Sequence, residues 1–107
     1  MFISTTESIA GYRVVESLGL VTGSVVMTKH VGRDIMAGLK SLVGGELRGY
    51  TELLQEARNN AIDRMNQQAA QWGANAILCV RLGTASITPG SAELIAYGTA
   101  VKVQAEN

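Results

Sequence analysis

Hydrophobic and polar positions change period several times along this chain. Residues 12–27, YRVVESLGLVTGSVVM, are rich in Val and Leu and carry no helix caps. Tyr12, Val14, Leu18, Leu20 and Val26 stand at even positions, and Val15, Val21, Val25 and Met27 at odd ones. This β-branched bias predicts one long strand. Gly19 and Gly23 invite a bend or bulge in it, and a hairpin folded near Gly19 is the alternative. Over 34–43 the period becomes helical, with Ile35, Met36, Leu39, Leu42 and Val43 on one stripe. Asp34 is placed to cap that helix and Gly44 to end it. A second, longer helix runs from somewhere in 46–51 to Trp72 and is stopped by Gly73. At about 100° per residue, Tyr50, Leu53, Leu54, Ala57, Ala61, Met65 and Trp72 share one side. Glu52, Gln55, Glu56, Asn59, Asp63, Asn66 and Gln67 fall opposite.

Two strand patterns follow, Ala76–Gly83 and Ala92–Val103, separated by the turn sequence ITPGS with the single proline, Pro89. In the last strand Ile95, Tyr97, Thr99, Val101 and Val103 share one face, while Leu94, Ala96, Gly98 and Ala100 make a flat floor for a helix. Ile3–Thr6 adds a short edge strand. The order β-α-α-β-β predicts an α+β fold, a two-layer sandwich with an antiparallel sheet and both helices on one face. No repeat or linker divides the chain, so residues 1–107 read as a single domain. The other face keeps apolar residues and needs a cover.

Composition sharpens this. The chain has 107 residues, 47% hydrophobic and 17% charged, with nine basic side chains balancing nine acidic ones. That rules out a disordered chain, and neutrality argues against a nucleic-acid partner, which calls for excess Lys and Arg. Mean hydropathy is +0.16. So apolar a small domain is expected to self-associate. The longest mostly apolar stretch, Leu18–Met27, is broken by Gly19, Thr22, Gly23 and Ser24. It is far shorter than the ~20 residues of a membrane-spanning helix, so no membrane association is expected. The opening MFISTTESIAG has no basic region followed by an apolar run, so no secretory signal is expected. The single cysteine, Cys79, makes no internal disulfide, which suits the cytoplasm.

GGELRGYTELLQEAR (44–58), GANAI (73–77) and YGTAV (97–101), with VVESLGLVTG (14–23) and GRDIMAGLKSLVGG (32–45), resemble the YbjQ family in order and spacing. Its members are small bacterial proteins of largely unknown role, often labelled heavy-metal-binding domains. The resemblance spans nearly the whole chain. It implies a β-α-β-β type subunit, similar to a dodecin subunit, assembled with itself into a homopentamer. It also implies a divalent heavy metal or small ligand, without a ligand set to carry onto these positions.

Heavy metals such as zinc and copper want three or four thiolate or imidazole ligands. One Cys and one His cannot supply them within a subunit, though five copies of His30 or Cys79 around an axis could. The metal candidates are His30 and Asp34. His30, in TKHVGRD, reads either as a surface histidine or as a metal ligand. Asp34 reads either as a helix cap or as part of a binding loop with Lys29, His30 and Arg33. Cys79, inside AILCV, reads as a small buried hydrophobe. Arg64 and Gln68 interrupt the apolar side of the long helix. Arg64 either snorkels over the core or contacts a neighbouring subunit, and a covered guanidinium calls for a carboxylate such as Glu46 or Glu93, or backbone carbonyls. No phosphate-binding glycine motif is present. No nucleophile–base set can be assembled from a single His, and nothing pairs Glu7, Glu16, Glu46 and Glu93. No catalytic residue is assigned and no enzyme is expected.

Overall fold

The helical period after residue 46 is realised as α1, Arg48–Gln71, about 36 Å long at ~1.5 Å per residue. The computed structural model describes residues 1–28, 48–89 and 91–106. The helix expected over 34–43 lies outside them. The end of α1 is set by Gly73 at φ 83, whose N–H donates to the Ala70 carbonyl at 3.0 Å while Ala74 N–H donates to Ala69 at 3.0 Å. This pair of bonds is a Schellman cap, and the left-handed backbone it needs costs glycine no Cβ clash.

Among the described residues four strands form one sheet: β1 (Phe2–Ile3), β2 (Tyr12–Thr28), β3 (Ala76–Thr88) and β4 (Ser91–Ala105), in the order β1-β3-β4-β2. β4 pairs antiparallel with both β2 and β3, but β1 runs parallel to β3, with Phe2 beside Ala76 and Ile3 beside Ile77. The sheet is therefore mixed, which corrects the purely antiparallel expectation. A two-residue strand carries no periodic signal, and the long excursion through β2 and α1 between β1 and β3 permits the parallel direction. β2 is one continuous strand rather than a hairpin. Its register shifts between Val14 and Glu16 and between Ser17 and Gly19.

Gly23 is not a bulge. A Cβ there would collide with the Ala61 carbonyl oxygen and the Met65 nitrogen, and would sit 2.9 Å from Arg64 Cβ. The backbone of α1 thus lies directly on β2. Val21, Ala61, Met65, Ala69, Ile77, Ala96 and Ala100 are fully buried together, so the flat alanine floor of β4 does carry the helix. Trp72, placed on the same stripe by its spacing, is 43% exposed.

The opposite face is not bare throughout. Ala76, Leu78, Val101 and Val103 form a second buried cluster there, and Ile9 and Tyr12 pack against it. The Tyr12 ring lies 4.9 Å from that of Phe2. Farther along the same face, Leu20 (65% exposed), Val26 (56%) and Tyr97 (40%) remain open. Their register partners, Thr99, Glu93 and Thr22, place them on one side of the sheet. Among the described residues, no helix is long and apolar enough to cross a membrane.

Candidate functional site

Of the residues singled out in the sequence, His30, Asp34, Lys29 and Arg33 lie outside the described residues. Cys79 is half-buried rather than buried. It breaks the strand pattern: its φ is 55, a left-handed backbone uncommon for any residue but glycine. The cause is the register shift of β3 between Leu78 and Arg81. Backbone groups freed there are taken up by the segment after β1. Cys79 N–H donates to the Thr6 carbonyl at 3.1 Å, and Val80 N–H to the Ser4 carbonyl at 2.9 Å. The Cys79 thiol faces the Thr6 carbonyl, with Sγ at 3.8 Å. The segment is braced by its own hydroxyls, Ser4 Oγ lying 2.5 Å from Thr6 Oγ1, which donates to the Ser8 carbonyl at 2.6 Å.

Arg81 completes this junction. Its Nη1 donates to the carbonyls of Thr5 at 2.8 Å and Val80 at 2.9 Å. Between this junction and α1 lies an open cavity of about 680 Å³, walled by Ile3, Ile62, Val80 and Leu82, with Ser4, Thr5 and Arg81 at its polar side. Sequence reading passed over Arg81, which looks like any solvent-facing residue in an alternating strand.

Arg64 and Gln68 have a common role. Arg64 is exposed, and its Nη1 donates to the Ser24 carbonyl; Gln68 Oε1 accepts from Thr22 N–H at 2.8 Å. Both therefore occupy backbone groups of β2, an edge strand of the sheet among the described residues. That protects part of the edge from pairing with another chain. The expected cover over the guanidinium is thereby corrected, since Arg64 is exposed; of the two kinds of partner expected, a carboxylate or backbone carbonyls, it takes a backbone carbonyl, that of Ser24. Glu16, unassigned in the sequence, lies 3.4 Å from Lys102 in an exposed ion pair. Asn66, read as part of the polar face, has a buried Oδ1 with no hydrogen-bond partner among the described residues.

Over residues 1–104 the chain matches the YbjQ family model, described as “Putative heavy-metal-binding”. The chain belongs to the YbjQ family. It is 58% identical over 103 residues to a UPF0145 protein of Vibrio campbellii, covering 96% of this chain and 99% of that one. It is 55% identical over 104 residues to a UPF0145 protein of Thermotoga maritima, covering 97% and 98%. A crystal structure of a protein with unknown function from Pediococcus pentosaceus, of the DUF74 family, aligns with a TM-score of 0.59 at 18% identity, covering 97% of this chain and 98% of that chain. That likeness shows the α+β fold alone.

The YbjQ description invites a test against the donor set. Among the described residues, no three His, Cys, Asp or Glu side chains come together. Cys79 has a carbonyl, not a second ligand, beside its sulfur. The described part of a single YbjQ subunit does not fit a heavy-metal centre, whose soft cation needs several thiolate or imidazole ligands in fixed geometry.

Proposed function

We propose that this YbjQ protein acts in the cytoplasm as a homo-oligomer, a pentamer of subunits comparable to a dodecin subunit, and holds a heavy metal or small ligand where subunits meet. The observation that carries the reading is the exposure of the large apolar side chains Leu20, Val26 and Tyr97 along one face of the sheet. Such exposure on one face of a small domain marks an interaction surface, and symmetric self-association is the commonest way to cover it. The donor count points the same way. A subunit without a ligand cluster among its described residues needs copies of the same residue from its neighbours, His30 and Asp34 being the candidates. No catalytic step belongs to this reading.

Light scattering on a sizing column is the test of assembly. The expected mass is about five times the 11.3 kDa of the chain, and Leu20→Glu with Val26→Glu should lower it. A monodisperse monomer at micromolar concentration refutes the oligomer. Elemental analysis of untagged protein tests the metal, which should be present at a fixed ratio per oligomer and fall in His30→Ala. A stable oligomer that takes up no zinc or copper favours a second reading, a protein-interaction ring without ligand chemistry, supported by the lack of a donor cluster among the described residues.

A further inference from the structure

The cavity beside α1 has a chemistry that the metal reading does not use. It measures about 680 Å³, within the ~300–1,000 Å³ usual for small-molecule sites. Ile3, Ile62, Val80 and Leu82 make its wall apolar, and among the described residues Arg81 is the one charged residue lining it. The position of Arg81 is not accidental. It pairs with Tyr97 across the sheet, whereas Leu82 pairs with Ala96 on the helix side. It therefore reaches the cavity around the edge of β3, where β1 has ended. Two carbonyls hold it there, those of Thr5 and Val80, and both bond the same nitrogen, Nη1. A guanidinium carries five N–H donors in a rigid fork. With Nη1 committed to the protein, the edge formed by Nε and Nη2 makes no hydrogen bond among the described residues. That edge is the side-on fork that matches the two oxygens of a carboxylate.

We infer that this cavity binds an amphipathic carboxylate, an alkyl or aryl acid whose apolar tail lies against Ile62, Val80 and Leu82 and whose carboxylate is taken bidentately by Arg81. Charge complementarity selects the occupant. Among the described residues no acidic side chain lines the cavity, so an anion meets the Arg81 cation there without a facing carboxylate, while a purely apolar ligand leaves the Arg81 fork without a partner. The fork is already oriented by Thr5 and Val80, so little side-chain freedom is lost on binding. The site lies within one subunit and is independent of metal at the junctions.

The test uses decanoate below its micellar concentration, added to the isotopically labelled full chain in its native assembly. Decanol serves as the uncharged control. Methyl resonances of Ile3, Ile62, Val80 and Leu82 should shift saturably with decanoate. Decanol should bind roughly ten- to a hundredfold more weakly, the range expected for losing a charged hydrogen-bonded pair. Arg81→Met should remove that preference. Because Arg81 also tethers the Thr5 segment, Leu82→Glu is the second variant. Leu82 is 44% exposed, so the change should leave the fold intact while placing a competing carboxylate beside Arg81, and decanoate binding should fall by at least tenfold. Equal binding of decanoate and decanol overturns the inference. So do shifts confined to other residues, or no shift because a neighbouring subunit already fills the cavity.

Discussion

Gly23→Ala is expected to be among the most damaging single changes in this protein, although it adds one methyl group. A Cβ at Gly23 meets the backbone of α1 at Ala61 and Met65, and lies 2.9 Å from Arg64 Cβ, where ordinary contact begins at 3.4 Å. The helix must therefore withdraw by at least 0.5 Å at Arg64 (3.4 − 2.9) and farther at its own backbone. A rigid helix moves as a unit, so the gap opens across the cluster of Val21, Ala61, Met65 and Ala69. A radial gap of ~0.5–1 Å forfeits about a quarter to a half of each contact's attraction. With the cost of overpacking added, the loss should be about 3 kcal/mol. For a domain of this size that lowers Tm by roughly 12–24 °C, at about 4–8 °C per kcal/mol. Two other glycines calibrate the argument. At Gly98 the new methyl meets Ile77 Cγ2 at 2.7 Å and the Leu78 carbonyl at 3.0 Å; at Gly83 the nearest atom is Tyr97 Cε1 at 3.9 Å. Gly98→Ala should cost about 1–2 kcal/mol, and Gly83→Ala should stay within ~0.5 kcal/mol of wild type. Urea unfolding followed by far-UV circular dichroism, at one fixed protein concentration, gives all three. A Gly23→Ala midpoint indistinguishable from wild type, or a Gly83→Ala loss as large as that of Gly23→Ala, refutes the close-approach reasoning.

At Cys79, where φ is 55, Cys79→Val should destabilise by about 1–2 kcal/mol because a β-branched side chain strains a left-handed backbone; Cys79→Gly should be near neutral in the same unfolding assay, and the reverse order would show the backbone relaxes. Arg64→Met removes a single bond to the Ser24 carbonyl from an exposed side chain, so its melting midpoint should correspond to a loss of no more than ~1 kcal/mol that does not grow on dilution; a larger loss that does grow would place Arg64 between subunits. Asn66→Leu replaces a buried oxygen without a partner among the described residues by an apolar group of similar size and should be neutral or stabilising by up to ~1 kcal/mol; a clear loss in thermal melting would reveal a partner for that oxygen.

The elements legible from sequence were those whose signal is local. The 3.6-residue period and Gly73 placed α1 and its end, because helix bonds and the Schellman cap join residues only a few positions apart. Period-two alternation placed β4 and predicted that the small residues Ala96 and Ala100 would receive the helix, as they do, while β3 runs on to Thr88, past the Gly83 at which its apolar run ends. What depends on distant partners was decided by the tertiary structure. The parallel direction of β1 depends on how the chain returns to the sheet, not on Phe2 and Ile3 themselves. Cys79 looks like one more apolar strand residue until the β3 register slips and the N-terminal segment claims its N–H. Arg64 and Gln68, anomalies on a helical wheel, make sense only beside the free backbone groups of β2. Arg81 gains its place in a cavity because Thr5, seventy-six residues away in sequence, holds its guanidinium. Side-chain period is a property of consecutive residues, whereas register, strand direction and the grouping of a cation with an apolar wall exist only once segments far apart in the chain are packed together.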